Sequence, residues 1–85
     1  MYQYEDLKPQ LFTEENQKDF LKVRDHVKKV LATSGAITMG EAIRPITGDT
    51  WLQMAYVDRL VELGEICEVK QVGDVAGQHR IFRKL

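Results

Sequence analysis

Reactive side chains are few and scattered in this sequence. The one cysteine, Cys67, allows no internal disulfide. It sits in the strand-like run ICEVKQ, where a thiol serves as a small buried hydrophobe more readily than as a nucleophile. His26 and His79 lie far apart and show no spacing suited to a metal. Gly73 and Gly77 are too sparse for a phosphate cradle and suit a turn instead. Asp74, near the tip of that turn, suits backbone hydrogen bonding better than general-base work. No nucleophile has a nearby base and the carboxylates do not cluster, so neither an enzyme nor a bound metal or cofactor is expected.

The chemistry that remains is charge and hydrogen bonding. Lys70, Gln78, His79, Arg80, Arg83 and Lys84 gather towards the C-terminus, and Thr50, Gln53 and Arg59 lie on a helical segment before them. Arginine, lysine and glutamine are the residues that pair with phosphates and base edges. Overall charge opposes this reading. The formal net charge is −1. Residues 1–35 balance Lys8, Lys18, Lys22, Arg24, Lys28 and Lys29 against an equal number of acids, and residues 47–85 are no more cationic. Phosphate neutralisation supplies most non-specific affinity for nucleic acid, so a monomer is not expected to bind DNA tightly.

Size and periodicity define the elements that must position these groups. At 85 residues the chain has room for one core, close to the lower size limit for independent folding. Residues 1–12 lack periodicity and include Pro9, which predicts an arm, with 13–85 as the domain. The arm carries Tyr2, Tyr4, Leu7, Leu11 and Phe12, too much apolar surface for a purely solvated tail. Thr13 followed by Glu14 and Glu15 predicts a helix start. Phe20, Val23, Val27, Val30 and Leu31 recur at steps of three and four, giving a first helix over about 14–33 that stops at Gly35. Ala36 and Ile37 suit a brief extended stretch. Thr38 and Glu41 have capping-box spacing, and Pro45 keeps the second helix short. Thr47-Gly48-Asp49 makes a turn, and Asp49 or Thr50 caps a third helix that ends at Gly64.

Within that third helix Leu52, Tyr56, Leu60 and Leu63 are expected to face inward, flanked by Val57. The outer face then holds Trp51, Met54, Ala55, Asp58 and Glu62, with Thr50 and Gln53 near its start and Arg59 at one edge. ICEVKQ and QHRIFRKL read as two strands of a hairpin joined by VGDVAG. Alternation leaves open whether Ile81 or Phe82 points inward.

Helix, short extended stretch, short helix, turn, longer helix, hairpin: this order resembles the winged helix-turn-helix. The residues that carry the resemblance are Thr38, Glu41 and the stretch VDRLVELGEI, in which Leu60, Gly64 and Ile66 match the end of a recognition helix and the opening of a wing. The GEAI, VDRLVELGEI and GQHR segments are also similar to those of small bacterial and prophage winged-helix proteins. The expected fold class is thus mainly α with a small β-hairpin, a three-helix winged helix-turn-helix. The resemblance implies a small DNA-binding protein, such as a transcriptional regulator, contacting double-stranded DNA through helix three and the wing. Thr50, Gln53, Arg59, Lys70, His79, Arg80 and Arg83 would make the contacts. Asp58 and Glu62 would repel phosphates there.

The alternative is a protein-interaction module on the same scaffold, with Trp51 and Met54 as anchors. A homodimer would extend the otherwise short site that one small domain can read, with the arm or helix one as the contact. No run approaches the ~18 apolar residues needed to cross a bilayer. The N-terminal MYQYEDLKPQ lacks the basic-then-apolar order of a secretory signal, so a cytoplasmic location is expected.

Overall fold

The computed structural model describes residues 1–70 and 77–85. Its α-helices are α1 (Tyr4–Leu7), α2 (Glu14–Ser34), α3 (Met39–Ala42) and α4 (Thr50–Glu62). Its strands are β1 (Ala36–Thr38), β2 (Ile66–Glu68) and β3 (Ile81–Lys84). Among the described residues the fold is mainly helical with one small antiparallel sheet. No helix among them is long and apolar enough to cross a membrane.

Local chemistry fixes the helix ends. The Thr13 side chain accepts from the Asn16 amide at 3.2 Å and starts α2. Gly35 ends α2 in the left-handed region, at φ 76°, with its amide donating to Leu31 O at 3.1 Å. Thr38 caps α3 by accepting from the Glu41 amide at 3.2 Å. Only this half of the capping box forms, because the Glu41 carboxylate accepts from Arg44 Nη1 at 3.1 Å instead. Asp49 caps α4, accepting from the Trp51 amide at 2.9 Å. Gly64, also at φ 76°, turns the chain from α4 towards β2.

The hairpin is part of a larger sheet. β1 pairs with β3 through Ile37 and Phe82, β2 pairs with β3 on its other side, and the order is β1-β3-β2. The extended stretch after α2 is therefore a third strand, closing an edge that a two-stranded hairpin would leave open. Phe82 points inward and is fully buried, which settles the side left open by its alternation with Ile81. The predicted strands are longer than those observed: β3 begins only at Ile81, after a 3₁₀ turn over Gly77–His79. Gln71, at the end of the first predicted strand, and Val72 to Ala76 of the predicted loop lie outside the described residues.

Two expectations need correction. Residues 1–12 are not an irregular arm: α1 runs into a 3₁₀ helix over Lys8–Phe12, with Pro9 in its first turn, where a missing amide costs nothing. Leu7 and Leu11, one helical turn apart, are buried in the core. The predicted three helices thus become four. The inward face of α4 also differs from the leucine stripe. Gln53, Met54, Ala55, Tyr56 and Val57 are all buried in succession, whereas Leu52 is only partly buried and Leu63 is half exposed. Five consecutive residues sweep more than a full turn of helix at 100° each, so α4 must have neighbours nearly all round. They are α2, α3, the N-terminal segment, β2 and the 3₁₀ turn at Gly77–His79, where a Cβ on Gly77 would lie 2.9 Å from Met54 Sδ.

Candidate nucleic-acid interface

One side of α4 carries Asp58, Arg59 and Glu62, and the N-terminal segment lies across it. The Tyr2 hydroxyl donates to Asp58 Oδ2. The Tyr4 hydroxyl donates to Glu62 Oε1 at 3.1 Å, and Lys8 Nζ to Glu62 Oε2 at 2.8 Å. Arg59 donates to the same carboxylate from within the helix, while its guanidinium sits 5.2 Å from the centre of the Phe12 ring. Hydrogen bonds from Lys8 and then Arg59 hold the Glu62 carboxyl at about 2. Burial, then the hydrogen bond to Glu62, pushes the Tyr4 hydroxyl up to about 12. Burial and the Asp58 carboxylate raise Tyr2 above the ordinary tyrosine range.

Arg80 holds the far edge of this surface. Its Nε and Nη2 donate to the two oxygens of Glu68 at 3.0 and 2.8 Å, a bidentate fork. Its Nη2 and Nη1 also donate to Asp58 at 2.8 and 3.3 Å. The guanidinium lies 5.3 Å from the centre of the Phe82 ring. Hydrogen bonding to Glu68, opposed by burial and reinforced by Asp58, keeps this arginine firmly charged. Asp58 and Glu62 are thereby compensated inside the protein, by Arg80 and by Lys8 and Arg59.

The residues singled out in the sequence consequently separate. Gln53 is buried, with Nε2 3.4 Å from Gly48 O, and does not face outward. Met54 is largely buried as well. Arg59 and Arg80 are held by carboxylates. Arg83 is exposed on β3 but pairs with Ala36 and Cys67, in the half of the strand away from residues 71–76. Lys84 lies further along in the same direction.

Thr50, Trp51, Lys70 and His79 are exposed. Thr50 and Trp51 border one concavity with Met39, Gly40, Ile43, Met54, Gly77 and Gln78, so the start of α4 and the 3₁₀ turn before β3 share a surface. His79 adjoins it, with Nε2 3.5 Å from Gln78 Nε2.

Sequence reasoning missed Tyr2, Tyr4 and Lys8 as occupants of the α4 surface. The excess of aromatic residues in the first twelve positions was the available signal. It also passed over Arg44, which projects from the turn after α3 with most of its side chain exposed. The Trp51 ring meets Tyr2 edge-on, with centroids 6.4 Å apart at 64°. Compared with protein-family models, curated proteins and solved structures, the chain finds no match in any of the three.

Proposed function

We propose that this chain is a winged helix-turn-helix protein that binds double-stranded DNA through the first turn of α4 and the base of the wing. The observation that carries the reading is the strand order β1-β3-β2 wrapped round the α3–turn–α4 unit. In that arrangement the two outer strands flank the last one, and β2 lies against the second helix of the unit. The proposed contacts are Thr50, Lys70, Gln78 and His79, with Arg44 beside them on the turn. Recognition helices in helix-turn-helix proteins read bases from their N-terminal residues, which suits Thr50 better than the middle of α4. Internal compensation of Asp58 and Glu62 removes the repulsion their sequence positions suggested.

A salt titration of binding to mixed-sequence duplex DNA tests the reading. Binding that weakens steeply with salt is expected, and Lys70→Ala with Arg44→Ala should flatten the slope by up to about two units. Absence of binding at low salt would refute it.

One observation favours a second reading, a protein-interaction module. Trp51 is 44% exposed on the rim of the concavity next to Ile43 and Gly77, which suits an aromatic anchor. The two readings part at Trp51→Ala, which on the second abolishes partner capture and on the first leaves the salt slope unchanged.

A further inference from the structure

The outer face of α2 is largely exposed: Glu14, Lys18, Leu21, Asp25 and Lys29 are all solvent-facing. With 21 residues, α2 spans about 31 Å, nearly the full 33 Å length of the domain. Near its middle, Leu21 is 43% exposed, and beside it stand Phe12 at 50% and Leu63 at 49%. Leu21, Phe12 and Leu63 line a hollow of about 340 Å³ with Leu11, Phe20 and Arg59. Large apolar side chains clustered on one surface mark a contact site.

The charges along the same helix show what that contact is. A two-fold axis at the Leu21–Lys22 peptide bond lays α2 antiparallel on its own copy. Each residue of the contacting stripe then faces the one equally far along on the other side of that bond. Glu14 meets Lys29 and Lys18 meets Asp25. Both meetings are of opposite sign, and each occurs twice by symmetry. Glu14, Lys18, Leu21, Asp25 and Lys29 follow one another at steps of three and four, so they form one solvent-facing stripe. The ion pair that Asp25 now makes, with Arg24 at 3.4 Å, is exposed and exchanges readily.

We infer that the chain forms a homodimer through antiparallel packing of α2 on α2, with each Leu21 near the two-fold axis beside the Phe12 and Leu63 of the other copy. An isologous contact needs a self-complementary surface, and α2 supplies one in both shape and charge. The axis lies on a face other than the start of α4 and the wing, so the inference is independent of DNA binding.

Analytical ultracentrifugation of the intact chain tests it. The wild type should sediment at twice the 9.8 kDa chain mass. Lys18→Glu alone and Asp25→Lys alone each place like charges opposite one another twice, and each should shift the protein to monomer. Mixing the two variants restores opposite charges at both contacts, so the mixture should return to dimer. Leu21→Glu should be monomeric with an unchanged circular dichroism spectrum, since the side chain is not part of the core. A monomeric wild type at all accessible concentrations would overturn the inference. So would a dimer that survives both charge reversals, or single variants that remain monomeric when mixed.

Discussion

Arg80 Nη2 donates to Asp58 Oδ1 at 2.8 Å, joining the chain as it enters β3 to the outer side of α4. Glu68 of β2 grips the same guanidinium, and the Tyr2 hydroxyl completes the hydrogen bonding of Asp58. Four separate parts of the sequence therefore meet at one charge cluster. This explains how a domain with short strands and two helices of four residues keeps a defined arrangement. It also engages the Arg80 guanidinium with two carboxylates of its own chain.

The two carboxylates at Arg80 should differ in their effect on stability. The Asp58 side chain is 14% exposed and that of Glu68 41%. Asp58→Ala leaves a largely buried guanidinium short of a partner and should cost about 1–3 kcal/mol. Glu68→Ala should cost no more than about 1 kcal/mol, because solvent replaces much of that pair. Urea unfolding of both variants checks this; equal losses would show that Asp58 has no special place in the cluster.

Acid should loosen the N-terminal segment before the rest of the fold. The Glu62 carboxyl is held at about 2, below its ordinary 4.5. A lowered acid pKa stabilises the folded form above the unfolded value, and that contribution is lost as pH falls towards the folded one. Between about pH 4.5 and 2, amide exchange in residues 4–12 should therefore rise ahead of exchange in α2. Glu62→Gln should remove this pH dependence. Uniform exchange across the chain in that range would show that the contacts of Tyr4 and Lys8 with Glu62 do not hold the segment.

Leu60, in the last turn of α4, and Leu63, which caps its C-terminus, are three positions apart but stand in different surroundings. Leu60 is fully buried, so Leu60→Ala should cost about 2–5 kcal/mol. Leu63→Ala should change stability by about 0.5 kcal/mol or less, given its exposure in the monomer. Thermal unfolding at protein concentrations low enough to avoid association compares them directly. A large loss at Leu63 would return α4 to the face read from its leucine stripe.

Trp51 reports on the junction of α3, α4 and the N-terminal segment. Its partial exposure predicts emission that iodide quenches readily. Trp51→Ala should leave stability within about 1 kcal/mol, since the ring's contact with Tyr2 is edge-on and peripheral. An unquenchable tryptophan would mean that Tyr2 and its neighbours cover the ring more fully than the structure shows.

What was legible in the sequence is what nearby residues decide. Thr13, Gly35, Asp49 and Gly64 mark the ends of α2 and α4 because caps and left-handed turns act over three or four positions. The inward stripe of α2 was legible too, since one side of that helix faces solvent and the pattern is clean. The face of α4 was not, because a helix enclosed on most sides buries residues irrespective of period, Gln53 included. α1 escaped notice because four residues and a 3₁₀ extension are too short to develop a periodic pattern. The candidate site suffered most. Whether an arginine is free or held depends on partners such as Asp58, 22 positions from Arg80, or Tyr2, 56 positions from Asp58.

The pairing of β1 with β3 governs the order in which the molecule can be completed during synthesis. Ile37 leaves the ribosome with its neighbour Phe82 still untranslated, and Tyr2 precedes Asp58 by some 3–11 s at about 5–20 residues per second. From the completion of α2 until α4 is made, Val23, Val27 and Leu31 lack the cover that α4 supplies in the finished core. The nascent chain is therefore a client for hydrophobic-binding chaperones until β3 arrives. Rare codons or stalls between β2 and β3 should lower the soluble yield more than equal delays within α2.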